Sequence, residues 1–320
     1  SMLDHLITNV SMVYHNKRTD KTGLKEQEYF SEDYEYTWEK PFVKKRLSVG
    51  VEKSVTFQVT TARIEFPRRV KSRDGMLLAR NERVNVNQPD VVLFSTDSGS
   101  SYMAVITSYL PDVERVVKLF GEDKVERIEG DELLTDSFFV WVYYHFQKSL
   151  DILPSLNLNN ITGFTGIVSD PTNTIVGSSD NTADLIITKA FVSNKNPLKS
   201  LKLDLLDNVM GTLMMLSEDR EVTIDVSRTQ FILAEDYSEE EKILYAIAYI
   251  YTALLPELLI KYASESMEFE NQNRDFSKEI GLDVIESIVK LNDISLEDLL
   301  QKVDFRDQTG SKATNVSTKE

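Results

Sequence analysis

The chain has no cysteine, three histidines, twelve glycines and eight prolines in 320 residues. Without cysteine there are no disulfides, thiolate nucleophiles or cysteine metal sites, and a reducing, cytoplasmic setting is expected. His5, His15 and His145 show neither i, i+4 spacing nor a His-x-His arrangement, so no zinc or other metal site is expected. His145 lies at the end of an aromatic-rich run and reads as a packed side chain. Long hydrophobic runs are scarce as well. The uncharged stretch from Ile243 to Leu255 meets Pro256-Glu257 and then Lys261, short of the roughly 20 residues a membrane span requires. It reads as a buried or subunit-contact helix, and no membrane partner is expected. Ser1-Met2-Leu3 reads as a tag remnant ahead of an initiator methionine, with no export signal behind it.

Catalytic motifs are missing too. No glycine-rich segment leads to a phosphate-loop lysine, and no Gly-x-Ser-x-Gly elbow occurs. Gly163-Phe164-Thr165-Gly166 lacks the third glycine of a dinucleotide fingerprint. No cofactor is expected and no reaction is named, although a site assembled by folding from distant carboxylates leaves no linear trace.

The composition, 41% hydrophobic and 28% charged, is that of a globular chain able to bury a core. Its 36 cations against 52 anions give a net charge of −16. Residues 40–83 reverse that sign, with twelve cations against four anions. The rest of the chain is left with 24 cations and 48 anions, a net −24. Charge clustered in this way marks a candidate surface for a polyanion. Lys44, Lys45 and Arg46 form one group; Arg68, Arg69, Lys71, Arg73, Arg80 and Arg83 form another. On one shared face these nine side chains would grip a nucleic-acid backbone without reading bases, and Phe42 and Phe66 lie near enough in sequence to stack bases. The opposing reading pairs the basic face with carboxylates, either within the fold or across a subunit contact of a homo-oligomer. The acidic stretch 121–136 is the nearest candidate.

The pattern of elements predicts an α+β fold: a mixed N-terminal α/β domain with a hairpin-containing sheet, then an antiparallel meander packed on long helices. A domain boundary is expected after residue 153, where Asn, Thr, Gly and Ser become frequent, giving domains of 1–153 and 154–305 and a disordered tail of 306–320. A short helix over Leu3 to Val13 and a loop through Phe42 open the first domain. Alternation predicts a strand from Ser54, followed by a charged turn region, then VVLFS and YMAVITSY joined through TDSGSS as a hairpin. Pro111 to Phe120 reads as a helix stopped by Gly121, Lys124 to Glu129 as a strand, and Asp131 to Ser149 as a helix. Residues 182–192 have helical spacing with a strand possible from their β-branched content. LKLDLLD, GTLMMLSED, EVTIDV and TQFILAED give the meander. Ser238 with Glu241 forms a capping box that starts an apolar helix over 238–265; KEIGLDVIESIVKL and SLEDLLQKV follow as separate amphipathic stretches.

Pro89-Asp90 at the head of a strand, followed by a hairpin to a second strand, a helix and a further strand, resembles the core of restriction-endonuclease-like nucleases over about residues 55–150. In that family the next strand carries an acid-x-Lys, and the two carboxylates hold Mg²⁺ while the lysine serves the attacking water. Here that strand reads Ala104-Val105-Ile106-Thr107-Ser108, and Glu65 is the one further acid in range. The resemblance therefore implies a nuclease-like core that has lost catalysis and kept nucleic-acid contact. Two functions follow: a non-enzymatic nucleic-acid-binding sensor or accessory subunit, or an assembly adaptor whose basic face meets an acidic protein surface.

Overall fold

The computed structural model describes residues 12–21, 29–50, 53–95, 101–126, 134–168, 174–180 and 182–302. Helices and antiparallel sheets are both present, as an α+β fold requires. By contacts the chain divides into two compact units: Ser1–Leu134, Asp151–Asn159 and Leu203–Ser264 in the first, and Thr135–Leu150, Asn160–Lys202 and Glu265–Glu320 in the second.

The first unit is organised by a seven-stranded sheet: β1 Tyr14–Lys21, β2 Tyr29–Trp38, β3 Val43–Val49, β4 Lys53–Pro67, then β7 Val84–Asn87, β8 Asp90–Ser95 and β9 Ser101–Ile106 after the small hairpin β5 Ser72–Arg73 and β6 Met76–Leu77. The register reduces these seven to five ribbons. Asn87 and Asp90 face Ile64 and Thr61, three residues apart on both strands, so β7 and β8 are one line of pairing. It is interrupted at Pro89, which has no N–H to donate but whose carbonyl accepts from Ala62 N at 3.0 Å. On the other flank Trp38 faces Ala62 and Val43 faces Val59, so β2 and β3 are one line carrying a two-residue bulge. Glu39 N donates to Thr61 O at 2.9 Å and Thr60 Oγ1 to Lys40 O at 2.6 Å, satisfying that bulge. The result is an antiparallel meander, β1, β2–β3, β4, β7–β8, β9, with β4 at its centre.

Both faces of β4 are covered. Ala62 and Ile64 pack with Tyr34, Tyr36, Val84 and Val91 against Val116 and Leu119 of the helix Pro111–Phe120. Gly121, at φ 117, ends that helix as expected. Val55 and Phe57 are also buried, Phe57 against Phe94 with ring centroids 6.2 Å apart. The helix Glu239–Tyr249 is tied to β3 by Tyr245, whose hydroxyl accepts from Gly50 N at 3.2 Å, and by an ion pair of 2.8 Å between Lys45 and Glu240. Ser238 caps this helix: its hydroxyl accepts from Glu241 N at 3.3 Å, while the Glu241 carboxylate accepts from Ser238 N at 2.9 Å. The meander read in the sequence is present as β12 Leu198–Leu206, β13 Met210–Ser217, β14 Val222–Ile224 and β15 Gln230–Phe231, following β10 Asn157–Ile167 and β11 Thr174–Ser178. Met210, Thr212, Met214 and Leu216 alternate inward along β13.

In the second unit, β10 and β11 pair antiparallel from Gly163↔Ser178 to Ile167↔Thr174. The glycine fragment there serves packing. A Cβ on Gly166 would stand 2.1 Å from the ring of Phe191, which belongs to the helix Ile186–Ser193. The helix Asp136–Gln147 is capped by Thr135, whose hydroxyl accepts from Phe138 N at 3.2 Å. His145 is packed, as its context suggested: it is 5% exposed, its Nε2 is 3.0 Å from Glu265 Oε2, and its ring lies 4.7 Å from that of Trp141.

Several local expectations are corrected. Tyr14–Lys21 and Tyr29–Trp38 form β1 and β2 where a loop was expected, because Tyr34, Tyr36 and Trp38 alternate onto the sheet. Lys44, Lys45 and Arg46 lie within the sheet on β3 instead of preceding it. Lys124 closes a 3-10 turn, Glu122–Lys124, where a strand was expected. The apolar helix does not end at residue 265. It runs through a π-helical turn, Ile250–Leu254, into Leu255–Leu291 and absorbs KEIGLDVIESIVKL. Pro256, which lacks an N–H and crowds the preceding turn, accounts for the widened turn. One helix, Glu239–Leu291, is thus long and apolar enough to cross a membrane by length and composition, with half of its apolar window buried in the protein. The expected Leu3 helix, the TDSGSS connection, residues 127–133 of the acidic stretch and the tail lie outside the described residues.

Candidate polyanion-binding arm

The connection from β4 to β7 forms an arm of residues 68–83. Arg68 N donates to Arg83 O at 2.8 Å at its base, and Leu78 N to Lys71 O at 2.9 Å further out. Ser72↔Leu77 and Arg73↔Met76 are the β5–β6 pairs, and the turn between them is Asp74-Gly75 with φ of 53° and 79°. Two consecutive positive φ values define a type I′ turn, which glycine and aspartate accept and which matches the twist of a hairpin. Residues 80–83 return as a single helical turn into β7.

Charge on the arm is divided between a clamped set and an open set. At the root, Arg83 donates to Glu32 at 2.9 Å and also to Leu78 O, with its guanidinium 5.0 Å from the centre of the Phe30 ring. Arg80 reaches Glu65 at 2.5 Å and Glu32 at 3.4 Å. Glu65 also takes Arg63 at 3.0 Å and the N–H of Glu35 at 3.1 Å. Lys71 is paired with Asp20, which holds Arg18 at 3.0 Å. Three carboxylates of β1, β2 and β4 therefore clamp Lys71, Arg80 and Arg83. Arg68 and Arg69, just above the base, and Arg73, beside the turn, are exposed and form no ion pair with any described residue, and Val70 and Met76 on the same arm are 59% and 72% exposed.

Lys44, Lys45 and Arg46 do not join this patch. Lys45 faces Phe57 on β4, and ten further residues of that strand separate Phe57 from the arm's root at Pro67, about 33 Å of extended chain. Lys45 is held by Glu240, and Arg46 Nε donates to Ser54 Oγ at 2.8 Å. Phe66 is already occupied: the Arg115 guanidinium lies 4.2 Å from its centre and Tyr109 stacks on it at 5.7 Å. Phe42 packs on Trp38 at 5.1 Å. Lys71, Arg80 and Arg83 take as partners Asp20, Glu65 and Glu32, carboxylates outside the stretch 121–136.

No metal centre comes together among the described residues. Asp90 accepts from Thr61 Oγ1 at 2.7 Å, and Glu65, four positions along β4 from Thr61, stands about 13 Å away, engaged by two arginines. Asp112, 1% exposed, is held by Asn87 at 2.7 Å and Arg115 at 2.8 Å. Asp90, Glu65 and Asp112 are each taken up by structural partners.

The clamp predicts a pH effect. Burial tends to raise the Asp20 carboxyl, but the Lys71 and Arg18 partners outweigh it and lower it from its ordinary 3.8. Burial likewise opposes the Glu65 shift, and the Glu35 N–H with Arg63 and Arg80 lower it from 4.5. Carboxyls depressed in the folded state stabilise above their unfolded values and lose that contribution as pH falls through the folded ones. Amide exchange over residues 68–83, corrected for intrinsic rate, is therefore expected to be slow at pH 6 and to accelerate below about pH 4, before the β4 core opens. Simultaneous acceleration in both regions would contradict the clamp.

The chain matches no protein-family model and no curated protein sequence.

Proposed function

We propose that the protein is a non-enzymatic nucleic-acid-binding protein whose arm grips the phosphate backbone through Arg68, Arg69 and Arg73. The observation that supports it is the division of charge: the clamp neutralises Lys71, Arg80 and Arg83, while Arg68, Arg69 and Arg73 on the same arm are exposed without described carboxylate partners. An outward-turned cationic hairpin on a chain of net −16 is a local device, since the remainder repels polyanions. Lys71, Arg80 and Arg83 set its position, and Lys44, Lys45 and Arg46 stand apart from it.

Three phosphate contacts give a salt slope of about −2.7 on duplex DNA, so affinity falls about 40-fold between 50 and 200 mM salt. Fluorescence anisotropy with labelled duplex and single-stranded probes measures this directly. Reversing Arg68, Arg69 and Arg73 to glutamate abolishes binding if the reading holds. Wild-type affinity and slope in that triple variant overturn it. A second reading, an acidic protein surface as the partner, is favoured by exposed Val70 and Met76, which add apolar contact beside the cations. It predicts that Val70→Ser weakens partner binding while leaving nucleic-acid affinity unchanged.

A further inference from the structure

The two margins of the meander differ in chemistry. β1 carries His15, Lys17, Arg18 and Asp20, the charged side chains that keep a sheet edge from pairing with another chain. β9, Ser-Tyr-Met-Ala-Val-Ile, has no charge and no proline, and among the described residues only β8 pairs with it. Met103 and Val105 rest on the core under the helix Pro111–Phe120. On the opposite face Tyr102 stacks on Phe94 at 5.6 Å, and Ile106 is 39% exposed. The strand is apolar on both faces, with its outer backbone groups unpaired by any described strand.

We propose that β9 is a dimerisation edge, joined antiparallel to β9 of a second copy about a two-fold axis at Ala104. The strand's own sequence selects that occupant. With Ala104 opposite the partner's Ala104, Tyr102 meets the partner's Ile106 and Met103 meets the partner's Val105. From Tyr102 to Ile106 each cross-strand pair is then aromatic with β-branched, or apolar with apolar. Pairing that places residues of equal parity opposite each other also keeps side chains on matching faces and outward N–H groups opposite outward carbonyls. Charge points the same way. Two chains of net −16 repel over most of their surfaces, and an uncharged edge is where they meet without opposing like charges. The contact is isologous, so it closes after two copies. This inference is independent of the phosphate reading.

The test is the mass of the full chain by light scattering after size exclusion, together with a charge-swap pair. Wild type is expected at twice the 36.6 kDa chain mass. Ala104→Lys and Ala104→Glu each set like charges across the axis and weaken self-association about tenfold or more. An equimolar mixture of the two variants restores the dimer. Wild type at single-chain mass overturns the proposal, and so does a dimer that Ala104→Lys leaves intact. Hydrogen exchange on wild type needs no substitution: protection of residues 101–106 rises with protein concentration if β9 is the contact. Concentration-independent protection there overturns it.

Discussion

Replacing Phe57 with alanine is expected to cost about 4 kcal/mol of stability, read as a lowered urea midpoint at unchanged slope. Phe57 has no exposed surface, sits on the central strand and packs its ring on Phe94. Pairing on both sides fixes its backbone, with Lys45 of β3 opposite it on one flank and Phe94 of β8 on the other, so the cavity left by the ring has little room to collapse. Domains of this kind retain roughly 5–15 kcal/mol in total, so the variant loses a large share of its margin. Phe57→Leu keeps most of the apolar volume and is expected to lose about 1.5 kcal/mol or less. A loss below about 1 kcal/mol in the alanine variant would show that β4 is not the centre of the core.

Glu32→Gln has the second largest expected effect, and it acts in two directions. Glu32 is 9% exposed and holds Arg83 and Arg80 at 2.9 and 3.4 Å. Removing the charge leaves Arg83, itself 14% exposed, without its carboxylate, at a cost of about 3 kcal/mol. The cost lies toward the lower end for such pairs because Arg80, 44% exposed, keeps Glu65. The same substitution leaves one positive charge of the root without its counter-ion, and the salt slope of nucleic-acid binding is expected to steepen by up to about 0.9. Lower stability with a steeper slope is the joint signature. Lower stability with an unchanged slope would show that the clamp is structural and unconnected to binding.

What was legible in the sequence divides along physical lines. Elements whose signal is local were plain: the Ser238 capping box, the Pro111 helix with its Gly121 stop, and the apolar strand runs of β4, β8, β9 and β13. β1 and β2 were misread because their many charges resemble a loop, although Phe30, Tyr34, Tyr36 and Trp38 already follow the two-residue period of a strand. That misreading hid the carboxylates that matter most. Asp20 and Glu32 meet Lys71 and Arg83 across 51 residues of chain, a separation no window of sequence spans. The fusion of the 238–265 helix with KEIGLDVIESIVKL was hidden by residues 266–277, a mostly polar stretch with little apolar periodicity that the helix nevertheless spans.

The meander also bears on how the first unit forms. Each of its five ribbons bonds only to the ribbon before and after it in sequence, so no pairing waits for a distant segment to arrive. Chain closure is cheap for such neighbours, and sheets of this topology fold faster than those built from remote strands. During synthesis β1 to β8 can pair in the order they emerge, and β9 completes the series. The last ribbon laid down is thus the uncharged one, and its open edge is presented only when the strands behind it are already in place.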